Sequence, residues 1–341
     1  ALAADDALLC IPDGNGNQVY VYRANSGSLY GTVRMSGIVP EKVVGAPGTS
    51  YVYAANGDRS TSLIAASSPA LVTTYGQLMV PVGGAADGSL FWLSTSFSGD
   101  GKAIALKPGS GSVQATIDGV RGTGILSRDG STLCFARTDA SQAVVYNTST
   151  RAKTITISTD AVVRTACLSS TGGILFATLN NHTSPGELYA YSTATGARLG
   201  SIAASHSGTG PIVISPDDRR VYMLQESGDR LTVFDLEGMK ALESFSANLT
   251  TGNSALAQSM DGRRLFVAET TAKRVVVYDT GIDSRDTVAV SLTVNDNEIY
   301  SGQSLVVTVT LTGYVKEGCR LAIAAQVGDA FFFAPTYGTS L

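Results

Sequence analysis

Histidine is nearly absent from this chain, with only His182 and His206 in 341 residues. A three-histidine metal centre cannot be assembled from them, and neither sits in a recognisable nucleophile motif. Cysteine is scarce and scattered: Cys10, Cys134, Cys167 and Cys319 form no C-x-x-C pair. Finger-type zinc, attached c-type haem and thioredoxin chemistry therefore lose their usual ligands. Charge is thin and nearly balanced, with 24 basic against 28 acidic side chains. No basic cluster stands out, so the electrostatic footprint of a nucleic-acid binder is missing. No apolar run reaches the ~18–20 residues of a membrane-spanning helix, and no membrane-spanning segment is expected. What the chain does have is 44% hydrophobic residues and 37 glycines. That is ample apolar material for a packed core, and too much for a disordered chain.

The apolar residues recur with a period. An alternating run ends in an aromatic and meets a polar turn at Val19–Tyr22, Ala143–Tyr146, Leu188–Tyr191, Leu231–Phe234 and Val275–Tyr278, with a weaker copy at Ala103–Leu106. The closing positions 22, 106, 146, 191, 234 and 278 are separated by 84, 40, 45, 43 and 44 residues. The first gap is a double one, and it places a degenerate seventh copy at Ser62–Ala65. A second phrase keeps phase with the first: Ser127, Ser215 and Ser259 each open an Asp-containing turn 19 residues before the closing aromatic. A looser version, Ser169–Gly172, lies ahead of Tyr191. Each unit then reads as strand A, turn, strand B, loop, strand C, turn, strand D, in the period-2 pattern of β structure. Four-stranded units stacked around an axis cover each other's apolar faces, as in a β-propeller. The fold expected is all-β: a seven-bladed β-propeller over residues 1–285, with a small C-terminal segment at 286–341.

The phrases carry a resemblance. The stretches after the turns at 219–236 and 263–280 are similar to the YVTN-type propeller repeat of bacterial and archaeal extracellular proteins, although the literal tetrapeptide is absent and Tyr53–Asn56 is a near miss. The resemblance spans roughly residues 7–285. It implies an extracellular or periplasmic seven-bladed propeller and no particular activity, since propellers host many functions. Residues 290–313 and 320–338 resemble strands of an immunoglobulin-like surface module, short of the ~100 residues of a full sandwich. The Ala1–Asp5 stretch is similar to the A-x-A end of a signal peptide. The expected localisation is secreted, cell surface or periplasm.

Ring closure is left open at this level. Ala7–Cys10 reads as a B strand, so strand A of the first blade ends near Ala3. Either a strand from the C-terminal side completes the blade, with Asp286–Leu292 as candidate, or the missing part lies outside this stretch of chain. The same segment is also claimed, by spacing, as strand D of the seventh blade.

Candidate site residues are few. Arg121, Arg164, His206 and Asn253 fall in or near connections from D to A strands, which gather at one mouth of the central channel, and they form the expected ligand-facing set. Asp13, Asn15 and Asn17 alternate oxygen-bearing side chains like the start of a calcium loop, but Gln18 and Ala24 stand where such a loop wants Gly and an acid. A plain turn is the competing reading, and calcium is the one cofactor left open. The pairs Arg219–Arg220 and Arg263–Arg264 follow equivalent turns in adjacent blades, where a small basic patch on one face competes with the preferred reading as solvated turn side chains. No catalytic residue is assigned. The function expected is non-enzymatic: an exported propeller in cell-surface or extracellular assembly and recognition, with protein partners or self-association through its C-terminal strands. A lactonase-like hydrolase with a metal in the channel and a periplasmic envelope-complex scaffold are the alternatives.

Overall fold

The structure is a computed structural model. It describes residues 1–76, 79–95, 100–180, 186–204, 210–225, 230–246, 254–269, 274–280, 289–294, 307–312, 323–327 and 330–334. Every regular element among them is a strand. Blade 1 comprises β1 (Leu2–Ala3), β2 (Leu8–Asp13), β3 (Gln18–Arg23) and β4 (Leu29–Arg34), and blade 2 comprises β5 (Pro40–Gly45), β6 (Tyr51–Asn56), β7 (Thr61–Ala65) and β8 (Ala70–Tyr75). Blade 3 holds β9 (Val80–Gly84), β10 (Phe91–Ser94), β11 (Gly101–Leu106) and β12 (Val113–Val120). Blade 4 holds β13 (Thr123–Leu126), β14 (Thr132–Ala136), β15 (Gln142–Asn147) and β16 (Lys153–Ser158). Blade 5 is β17 (Val163–Leu168), β18 (Ile174–Leu179), β19 (Glu187–Ser192) and β20 (Arg198–Ala203). Blade 6 is β21 (Ile212–Ile214), β22 (Arg220–Leu224), β23 (Arg230–Asp235) and β24 (Lys240–Ser246). Blade 7 shows three strands among the described residues, β25 (Ser254–Gln258), β26 (Arg264–Glu269) and β27 (Arg274–Asp279).

Each blade is an antiparallel sheet in sequence order, and the chain forms a seven-bladed β-propeller. The second strand of each blade explains the packing. In β10, Phe91, Trp92 and Leu93 are all buried although successive side chains leave opposite faces. Phe91 packs with Tyr53 and Leu63 of blade 2, whereas Trp92 packs with Leu133 and Phe135 of blade 4. A strand covered on both faces has no polar side to present, so it reads as a continuous apolar run rather than an alternation.

The serine turns recur as one hydrogen-bonded unit. Ser127 Oγ donates to Asp129 Oδ1 at 2.6 Å and accepts the Thr132 N–H at 2.9 Å. The Ser215 and Ser259 turns repeat both bonds, at 2.5 and 2.9 Å and at 2.6 and 2.9 Å. In Ser169–Gly172 the hydroxyl still accepts the Ile174 N–H, at 3.0 Å, with Thr171 where the acid would stand. The fourth residue of each turn has positive φ, which Gly130, Gly172 and Gly262 adopt without a Cβ penalty. Asp218 holds this position at φ 58. It earns its place by accepting the Ser170 N–H at 2.8 Å and the Ser170 hydroxyl at 2.9 Å, tying blade 6 to blade 5. Ser215→Ala removes a buried hydroxyl that satisfies a backbone N–H. It is expected to cost about 1–2 kcal/mol in urea unfolding, with Ser215→Thr costing less.

The chain divides into two compact units, residues 1–279 and 280–341. In the second, β28 (Ala289–Val294) pairs antiparallel with β29 (Val307–Thr312), and β30 (Ile323–Val327) with β31 (Ala330–Ala334). The segment open to two readings in the sequence thus contributes its described part to a hairpin with β29. Blade 1 takes its innermost strand from Leu2–Ala3.

Candidate functional site

Strand A is the innermost strand of each blade, so the turns from A to B surround one mouth of the channel. They are stitched from blade to blade: Ala4 N–H donates to Thr49 O at 2.8 Å, Ala86 N–H to Arg128 O at 2.9 Å, and Asp129 N–H to Ser170 O at 3.0 Å. The last turn meets the first through the Asp6 carboxylate, which accepts the Met260 N–H. Arg264 Nη1 reaches the Ala24 carbonyl at 3.2 Å across the same seam while its guanidinium lies 5.8 Å from the Phe266 ring. Arg264 is therefore a seam residue rather than a solvated one. Arg128 Nη2 spans from blade 4 to the Met260 carbonyl of blade 7 at 2.6 Å. The ring closes here with side chains, and the sequence marks none of them as ring-closing, because each contact joins residues more than a hundred positions apart.

Burial, then the neighbouring Asp261, push the Asp6 carboxyl above its ordinary value, against the Met260 N–H and the guanidinium groups of Arg264 and Arg128. Asp129 and Asp261 go the other way. Burial raises them, but the serine hydroxyl and backbone donors of their own turns outweigh it. A raised carboxyl costs stability once it ionises in the fold. Asp6→Asn keeps an acceptor for Met260 and is expected to gain stability relative to wild type as pH rises from about 4, near the unfolded carboxylate value, through the higher folded value. The depressed Asp129 and Asp261 contribute stability above about 4 that is lost as pH falls through their folded values. Urea titrations from pH 3 to 8 measure both; a variant losing ground as pH rises would mean that Arg128 and Arg264 outweigh burial. Asp6→Ala leaves the Met260 N–H unpaired, at about 1–3 kcal/mol.

At the opposite mouth, Arg121 and Arg164 stand on or beside the adjacent inner strands β13 and β17. Arg121 Nη2 lies 2.5 Å from Asp139 Oδ2, and Asp139 also accepts Arg137 Nε at 3.0 Å. That shared carboxylate is held below the usual range first by the Arg137 hydrogen bond. Arg164 is exposed. His206 and Asn253 lie outside the described residues, as do His182 and Cys319. Asp13 accepts the Gly16 N–H at 3.0 Å and Gln18 Nε2 at 3.3 Å, and Asn17 has φ 48, so Asp13 and Asn17 build the turn from β2 to β3. Asn15 is an exposed member of that turn. Among the described residues no three His, Cys, Asp or Glu side chains come together as a metal-holding group. Burial raises the thiols of Cys10 to about 11 and of Cys134 to about 12, and Cys167 higher still, so these cysteines stay protonated and pack as small apolar groups.

One solved structure puts this geometry in context. A chain of hydrazine synthase from Kuenenia stuttgartiensis superposes with a TM-score of 0.67 at 17% identity, over 83% of this chain and 95% of that one. The likeness is one of fold. No protein-family model matches the sequence, and no curated protein matches it.

Proposed function

We propose that this chain is a non-enzymatic β-propeller of the cell surface or periplasm, a rigid disc whose C-terminal strands engage another chain. The YVTN-type repeat resemblance supports the location. The observation that carries the reading is the pairing of the C-terminal strands. The ring meets its own end through Asp6, Arg264 and Arg128. The C-terminal segment forms two hairpins with no third strand on either among the described residues. Isolated two-stranded hairpins are marginal in water, and an unpaired strand edge accepts a strand from elsewhere. A second copy of the chain supplies such strands, and a head-to-tail contact of this kind propagates. Ending the chain at residue 285 tests the reading: the ring's circular dichroism is retained and assembly is abolished. A shortened chain that assembles like the full one would refute it.

A further inference from the structure

The outer edges of blades 1 to 6 are bulged in one and the same place. Directly after the partner of the residue that closes the third strand, each fourth strand carries one extra residue: Tyr30, Val72, Gln114, Thr154, Leu199 and Leu242. All six are exposed, and four of them are large and apolar. A bulge leaves its extra residue unpaired and twists the strand, which blunts an edge against the addition of another strand. The rim of these blades therefore presents side chains but no regular ladder of backbone groups.

Blade 7 differs. Among the described residues its outermost strand is β27, and that strand is left uncovered. Val277 is 48% exposed, whereas its counterpart in each of the other six blades is at most 9% exposed. Val275 is half-buried where its six counterparts are buried. The six fourth strands define what fits this edge. Counted from the partner of the closing residue, the fourth residue is Thr or Ser in all six, and the fifth is Val, Ile, Phe or Tyr. The count starts seven residues after the closing residue in every case, which for Tyr278 is Arg285. That register sets Val288 at the hydroxyl position and Ala289 at the large apolar one. The matching pair, Thr293–Val294, comes five residues later, in β28, whose pairing with β29 occupies one of its edges. Set on β27 in the register of the other blades, β28 brings Leu292 opposite Val277. The chain after it, with Asp296 and Glu298, then runs past Lys273 and Arg274, a match of opposite charge. The register from Arg285 sets Val290 and Ser291 against those two bases instead.

We propose that the outer edge of β27 takes β28 of a second copy as the fourth strand of blade 7. This contact rests on the assembly reading and gives it an acceptor. Disulfide trapping tests it, in full chains that also carry Cys319→Ser. Directly opposed residues of an antiparallel pair have Cβ atoms ~4.5–5.5 Å apart, near enough for a disulfide after a small adjustment. A Val277→Cys chain mixed with a Leu292→Cys chain and oxidised is expected to give a reducible product at twice the 35.2 kDa chain mass, joining one chain of each kind. A Leu199→Cys chain, altered on the bulged rim, is expected to give no such product with the Leu292→Cys chain. A single chain carrying both Val277→Cys and Leu292→Cys is expected to form linked multimers. An internal disulfide in that chain would overturn the proposal, because its own β28 would then fill the edge. Equal trapping by Leu199→Cys, or no product from a mixture that light scattering shows to be assembled, would overturn it and leave the assembly reading standing. A mixture that stays at the mass of one chain would overturn both.

Discussion

Trp92→Ala is expected to destabilise the propeller by about 3–5 kcal/mol, the range for truncating a buried aromatic. Trp92 is 1% exposed and is packed with Ala103, Ala105 and Ile117 of its own blade and with Leu133 and Phe135 of the next. Its loss leaves a void at an interface between blades, where two sheets cannot close up without moving the inner strands. Trp92→Phe keeps most of the contact and should cost about half as much or less. Urea unfolding followed by circular dichroism measures both, since Trp92 is the single tryptophan and its fluorescence is lost with it. A loss below about 1 kcal/mol would mean that blades 3 and 4 are not packed through this side chain.

Gly122→Ala is expected to cost about 3 kcal/mol or more, from two separate causes. The residue has φ +109, where a side chain strains the backbone, and an added Cβ would stand 2.1 Å from the Ala136 carbonyl oxygen and 2.7 Å from its carbon. Both neighbours are backbone, so neither can swing aside. Gly37→Ala is the internal control: its φ is +87 but nothing lies within 4 Å of the added carbon, so it feels the strain alone. The difference between the two variants isolates the clash, and equal losses would contradict the close approach of strands at the entrance to β13.

The repeat was legible because its cause is local. The Ser and Asp of each turn bond within a few residues of one another, so their spacing survives as a sequence phrase. The degenerate copy placed at Ser62–Ala65 falls within β7 for the same reason: its apolar pair Leu63 and Ile64 still feeds two blade interfaces. The seam was not legible. Asp6 and Met260 are 254 residues apart, and nothing in an Asp-Asp-Ala stretch distinguishes a ring-closing carboxylate from a solvated turn. Arg121 stands between a D and an A strand, but its pairing with Asp139 comes from a B-to-C loop whose path the spacing does not describe.

The central proposal is that the C-terminal strands are completed by another chain. The most direct test is the mass of the full native chain in solution, by light scattering over a range of concentrations with electron microscopy of the same samples. The account predicts species at multiples of the 35.2 kDa chain that grow with concentration, with discs repeating along one direction. A chain that stays at 35.2 kDa at every concentration would contradict it.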